Sequence, residues 1–338
     1  MSFESVSEVL RERIFLDAQP AAMPLALDVF SFQYQNNRVY RSYCDILGKN
    51  PTNVHTIGEI PFLPIGQFKQ QRIQTGDFVP EIIFESSGTT GSVNSIHAVK
   101  DLTLYEQSFS KAFRLQYGNP SEYCIIGLLP SYLERRHSSL VHMVDRLIRD
   151  SGHPSSGFYL YDHEKLHQTI AANESNGVTS ILIGVTYALL DFSETHRMQL
   201  KHTIVMETGG MKGRKRELTR EEVHGLLCER LGIDAVHSEY GMTELLSQAY
   251  SGGHGRFTSP PWMKVLIRAD DDPFEIMPYP PGGNPSITGV INIIDLANLY
   301  SCSFIATDDL GRLHSDGGFE VLGRLDNSDI RGCSLMLG

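Results

Sequence analysis

Paired cysteines are missing from this chain: Cys44, Cys124, Cys228, Cys302 and Cys333 are scattered with no CxxC pair. A zinc ribbon or disulfide framework is therefore not expected, and any functional cysteine acts alone. Long apolar runs are missing too. None approaches the roughly 20 residues that a bilayer span requires, and the opening MSFESVSEVLRERIF carries acids before any apolar stretch. No membrane span or signal peptide is expected, and the cytoplasm is the default location. Basic residues are in deficit, 29 Lys and Arg against 40 Asp and Glu, for a net charge of −11. That balance argues against nucleic acid as a partner, because a polyanion is held by concentrated Lys and Arg. The one local concentration, Lys212, Arg214, Lys215 and Arg216 beside a Gly-Gly turn, suits either a nucleotide or a solvated loop. Repeats and low-complexity tracts are absent.

What is present is the composition of a globular protein: 338 residues, 41% hydrophobic and 20% charged, enough for one large domain or two ordinary ones. Residues 4–48 place apolar side chains at helical spacing and are followed by Asn50-Pro51 and IGEIPFLPIGQFK, which predicts a helical region and then an extended connector. From about residue 80 short apolar runs (EIIFE, YCIIGLLP, TSILIGV, HTIVME, GVINIID) alternate with amphipathic segments (LTLYEQSFSKAFRLQYG, SSLVHMVDRLIRDSG, TREEVHGLLCERLG). Such alternation predicts an α/β fold on buried sheets, with the last two helices closed by glycine. Residues 258–289, rich in Pro, Gly and Asp, read as a loop or irregular β region.

Four local motifs carry candidate chemistry. Ser86-Ser87-Gly88-Thr89-Thr90-Gly91 follows the apolar Ile82-Ile83-Phe84. A strand opening into a Gly/Ser/Thr loop exposes the N–H and hydroxyl donors that hold phosphate oxygens, although an ordinary turn has the same composition. It lacks the Gly-Lys-Ser/Thr ending of a Walker loop. Tyr240-Gly241-Met242-Thr243-Glu244 offers a ring for adenine, a hydroxyl for phosphate and a carboxylate for Mg²⁺, or else a capped strand-to-helix turn. Thr307-Asp308-Asp309-Leu310-Gly311-Arg312 and Gly323-Arg324-Leu325-Asp326 offer a carboxylate for ribose and an arginine near it, or a hairpin with a surface ion pair. Their occurrence together, in this order, favours the first reading of each.

In that order and spacing the four motifs resemble those of the adenylate-forming superfamily of acyl-CoA synthetases, phenylacetate-CoA ligases and luciferase-like enzymes, over about residues 80 to 332. Leu129-Pro130-Ser131-Tyr132-Leu133-Glu134-Arg135 with Ser138-Ser139-Leu140, Met206-Glu207-Thr208-Gly209-Gly210-Met211-Lys212-Gly213-Arg214, and Arg331-Gly332-Cys333-Ser334-Leu335 look like the acyl-protein synthetase (LuxE-like) branch. The resemblance implies an α/β adenylating domain without the mobile C-terminal lid domain of the larger relatives. Residues 1–78 would be a helical region and connector packed on the core, 79–325 the core that binds ATP and the acyl group, and 326–338 a hinge remnant and tail.

It also implies roles. Ser86, Ser87, Gly88, Thr89, Thr90 and Gly91 would line the phosphates, Thr208, Gly209 and Gly210 would border adenine, and Tyr240, with Gly241, would stack on the base. Thr243 and Glu244 would meet phosphate and Mg²⁺, Asp309 the ribose with Arg324 nearby, and Cys333 would accept the acyl group. Val93 and Asn94 stand where most relatives have proline and lysine, so Lys212 or Arg214 would supply the missing charge, and Asp308 replaces the usual glycine before Asp309. The implied reaction is ATP-dependent activation of a carboxylic acid, a fatty acid by analogy, with residues 131–142 and 184–190 lining its site. An acyl-reductase or acyl-carrier protein is the implied downstream partner. A CoA ligase working without its own lid, or a nucleotide-binding scaffold that has lost adenylation, remains the alternative. His237, beside the YGMTE element, is a further candidate.

Overall fold

The structure is a computed structural model that describes residues 2–16, 23–86, 93–130, 134–209, 218–278 and 286–325. Helices α1 (Phe3–Leu16), α2 (Met23–Asn36) and α3 (Arg38–Ile46) come first, as the apolar spacing of residues 4–48 requires. After them run β1 (Leu63–Pro64), α4 (Gln67–Gln70), and the hairpin β2 (Ile82–Glu85) and β3 (Ile96–Val99). The alternating segment contains α5 (Leu102–Tyr117), β4 (Cys124–Leu128), α6 (Ser139–Ser151), β5 (Gly157–Phe158), α7 (His163–Ser175), β6 (Ser180–Gly184), α8 (Thr186–Thr195), β7 (Thr203–Glu207) and α9 (Arg220–Leu231). Strands then take over: β8 (His237–Tyr240), β9 (Ala249–Ser251), β10 (Arg256–Phe257), β11 (Met263–Arg268), β12 (Ser286–Asp295), β13 (Phe304–His314) and β14 (Phe319–Arg324).

One sheet has the order β5-β4-β6-β7-β8-β9. It is parallel except at the β8–β9 edge. Its side chains alternate between two cores, as the pleat demands. Ile125, Ile181, Ile183 and Met206 pack in the same core as Phe109 and Phe113 of α5 and Met143, Val144 and Leu147 of α6. Cys124, Ile126, Leu128, Leu182 and Val205 pack in a second core with Leu166, Leu189, Phe192 and Leu227 of α7, α8 and α9. Gly127 admits no side chain, because a methyl group there would press on Phe158 at 2.8 Å. Helix ends follow local chemistry: Thr219 and Glu222 form a capping box on α9, and Gly232 (φ 64°) closes it in the left-handed region.

The second sheet, β10-β14-β13-β12-β11, is antiparallel, with β1 added in parallel to β13. Residues 258–289 depart from the irregular reading of the sequence. Met263–Arg268 is a regular strand paired with Val290–Asp295, and its partner completes hydrogen bonds that flanking prolines and acids conceal from a local reading. The N-terminal helices are tied to the turn between β12 and β13. Gln33 donates to the Asn298 carbonyl at 2.9 Å, and Asn37 donates to the Ser301 carbonyl at 2.9 Å. Among the described residues no helix is long and apolar enough to cross a membrane.

Candidate functional site

A cavity of about 1760 Å³ opens where the carboxyl ends of the parallel strands meet the second sheet, the usual place for a ligand in an open α/β fold. Ser86, Thr208, Gly209, Tyr240, Gly241, Thr243, Glu244, Asp309 and Arg324 all line it. Ser87, Gly88, Thr89, Thr90, Gly91, Gly210, Lys212 and Cys333 lie outside the described residues. The base of the Gly/Ser/Thr loop is closed by two bonds: Ser86 N–H donates to the Ser95 carbonyl at 3.1 Å, and Ser95 N–H donates to Ser86 Oγ at 2.9 Å.

On the second sheet, β13 and β14 place Asp309 directly across from Arg324. Arg324 Nε donates to Asp309 Oδ1 at 3.1 Å, and the Tyr240 hydroxyl donates to Oδ2 at 2.8 Å. Strand alternation buries Asp309 and exposes Asp308, so Asp309 is the carboxylate fixed by the cluster. Phe257 and Phe319 hold the Tyr240 ring, with centroids 5.9 and 5.5 Å away. Burial and the neighbouring Asp309 keep the Tyr240 phenol well above its ordinary value, so it remains a donor.

The turn after Tyr240 is clamped from both sides. His97 on β3 is buried, which pushes its pKa down to about 4 against the pull of its hydrogen bond. As a neutral ring facing a carbonyl it carries its proton on Nδ1 and donates to the Thr243 carbonyl at 2.8 Å. Asn298 donates to the Glu244 carbonyl at 2.8 Å. Asp295 accepts from the backbone N–H of Leu246 at 2.8 Å and of Ser247 at 3.0 Å. Burial raises the Glu244 carboxyl above the usual range, while the Ser95 hydroxyl and the Arg324 and Lys69 charges oppose that rise.

A second hub lies at the end of β7. Glu207 accepts from the Thr186 hydroxyl at 3.0 Å, from Gly209 N–H at 2.8 Å and from the Ser238 hydroxyl at 3.0 Å. His224 and Arg220 of α9 stand 3.6 and 3.9 Å away. Burial works against ionisation, yet these partners hold the carboxyl at about 2. Glu207 thus fixes the Thr208-Gly209 turn, where Gly209 adopts φ 74°. His237 does not line the cavity; it accepts or donates with the Tyr117 hydroxyl at 3.1 Å. Cys44, Cys124 and Cys302 are buried, and burial raises their thiols and that of Cys228.

His97, Asp295, Asn298 and the α9 partners of Glu207 escaped the sequence reading, as did the role of Glu207 itself. Their contacts are long-range, and only the polar endings of the apolar runs HTIVME and GVINIID hinted at them. Of the segments expected to line an acid site, residues 134–141 of the first and Val185, Thr186 and Tyr187 of the second line the cavity, and Met143 lines it just beyond the first segment.

Comparison with known proteins is consistent with this geometry. The long-chain-fatty-acid–luciferin-component ligase of Vibrio harveyi is 24% identical over 339 residues, covering 93% of this chain and 86% of that protein. Its namesake in Aliivibrio fischeri is 25% identical over 338 residues, with the same coverages of 93% and 86%. ATP-bound MatB from Rhodopseudomonas palustris shares the fold, with a TM-score of 0.52 at 17% identity over 73% of this chain. The likeness spans about half of that larger protein, 49% of its chain. Residues 17–338 match the acyl-protein synthetase family, LuxE, so the chain belongs to that family and is an adenylate-forming enzyme that activates an acid with ATP and transfers the acyl group to protein.

Proposed function

We propose that the cavity binds ATP beside a long-chain carboxylic acid, joins them as an acyl-adenylate, and passes the acyl group to Cys333 as a thioester. The observation that carries this reading is the Tyr240–Asp309–Arg324 cluster sharing one cavity with Thr243 and Glu244. Asp309 spends one lone pair on each partner and keeps others for two ribose hydroxyls. Ser86 and the loop to Gly91, with Thr243 and Lys212, would hold phosphates, and Thr208, Gly209, Gly210 and Tyr240 would border the base. The donor set fits Mg²⁺, which binds through one or two carboxylates and substrate phosphates. Glu244 would hold it, and when bound it neutralises phosphate charge.

A carboxylate is a poor electrophile because its charge repels nucleophiles and its leaving group would be oxide. In the first step an acid oxygen attacks the α-phosphorus and pyrophosphate leaves with the electrons of the broken P–O bond. The site's work there is positioning and charge stabilisation. In the second step the Cys333 thiolate attacks the acyl carbon, the C–O bond to the phosphate breaks, and AMP leaves. Arg331, two residues before Cys333 in the sequence, would favour the thiolate. The raised thiols of the four described cysteines suit packing rather than this role. Leu129, Leu140, Met143 and Val185 on the cavity wall suit an apolar chain. Within this reading residues 1–78 brace the core at 79–325, residues 326–338 present the acceptor, and a cytoplasmic reductase or carrier takes the acyl group onward.

The test is to incubate the protein with radiolabelled acid and ATP. A hydroxylamine-sensitive protein label is expected, and Cys333→Ser should abolish it while acid-dependent pyrophosphate exchange continues. A label that survives in Cys333→Ser removes that residue from the mechanism.

A further inference from the structure

The cavity contains a second polar cluster that the adenylation chemistry leaves unused. Glu239 on β8 and Gln248 just before β9 both line the cavity and are 9% and 3% exposed. They meet at Gly241. A methyl group on Gly241 would collide with Glu239 Oε1 and touch Gln248 Cγ at 3.4 Å. Among the described residues Gln248 Oε1 is buried without a hydrogen-bond partner, and no hydrogen bond contributes to the state of the Glu239 carboxyl.

The tyrosines around Glu239 do not fill this need. The Tyr105 hydroxyl donates to the Ser139 carbonyl at 2.9 Å, Tyr117 is joined to His237 at 3.1 Å, and Tyr250 points at Met143 Sδ at 3.8 Å. Leu129, Leu140 and Met143 line the same cavity. A buried polar atom without a partner, as Gln248 Oε1 is, is costly unless something bonds to it.

We propose that Glu239 and Gln248 form a subsite for a hydroxyl group on the acid, so that this enzyme selects a hydroxylated carboxylic acid over the plain chain. The inference rests on the reading of the cavity as an acid-activating site. Burial, with the Glu207 charge nearby, pushes Glu239 up to about 8, so at neutral pH it is a carboxylic acid with a proton to donate. Gln248 Oε1 can only accept. A hydroxyl accepts from the first and donates to the second, whereas an alkyl chain leaves both unpaired. An ammonium group matches an ionised carboxylate, the state that these surroundings disfavour.

The experiment measures kcat/KM for ATP–pyrophosphate exchange on the intact chain with alkanoic acids, their hydroxy counterparts and their amino counterparts at matched chain length. The hydroxy acid is expected to win by roughly 10- to 100-fold, the worth of one to two hydrogen bonds made rather than lost. Gln248→Met, close in shape but without the acceptor, should bring that ratio toward one. Glu239→Gln, which still donates, should retain more of the ratio than Glu239→Leu. Equal rates for plain and hydroxylated acids in the unaltered enzyme overturn the subsite and leave adenylation standing. A preference for the amino acids overturns the choice of hydroxyl. No exchange with any acid removes the reading of the cavity and the subsite with it. The comparison in the unaltered enzyme decides the matter even if a variant fails to fold.

Discussion

Glu207 and Glu239 sit at the ends of adjacent strands, and both are at least nine-tenths buried, with 6% and 9% exposure. Their chemistry is opposite. Glu207 receives hydrogen bonds from three elements, has two cationic or titratable neighbours, and is held at about 2. Glu239 lines the cavity, has no such partner among the described residues, and is pushed to about 8. Burial disfavours the charge in both cases, so partners and not depth decide which acid ionises. The first acid builds the wall of the site, and the second is left for a ligand.

The largest way to break that contrast is Glu207→Ala. It strips a buried, fully engaged carboxylate from α8, α9 and β8, and should cost ~3–5 kcal/mol of unfolding free energy, measured by urea denaturation. A loss under about 1 kcal/mol would show that the hub is not structural. Asp309→Asn comes next. It weakens charge-assisted bonds proposed to reach ribose, and KM for ATP in the exchange assay should rise roughly 10- to 100-fold. An unchanged KM would take Asp309 away from the nucleotide.

A smaller, pH-dependent effect separates the two glutamates by sign. The unfolded reference for both is 4.5. Glu207, depressed to about 2, contributes stability that is present above 4.5 and lost as pH falls toward about 2. Glu239, raised to about 8, contributes stability that is full below 4.5 and lost as pH rises through about 8. Glu239→Gln should therefore gain on the unaltered protein between pH 5 and pH 8, by ~3–4 kcal/mol. Glu207→Gln should show its deficit throughout that range and lose it only in acid. Parallel pH profiles for the two variants would contradict the contrast.

The same difference explains what the sequence could reveal. The motifs that place Asp309 and Arg324 were legible because each is short and local, and the β13–β14 hairpin then sets them opposite one another. The buried runs of β4, β6 and β7 were legible from their apolar composition. Glu207 was visible within a recognised stretch, but its role was not, since Arg220 and His224 reach it only after the chain crosses into α9. His97, Asp295 and Asn298 act on a turn about 50 to 150 residues distant in sequence, and no local pattern encodes that. Met263–Arg268 was hidden for a related reason: its pairing with β12 outweighs the turn-forming residues around it.

The most direct test of the account is acid-dependent ATP–pyrophosphate exchange, with Glu244→Ala as control. The account predicts exchange that requires one class of acid and falls roughly 10²–10³-fold in Glu244→Ala. ATP binding without exchange for any acid would contradict it and leave the cavity as a nucleotide-binding scaffold.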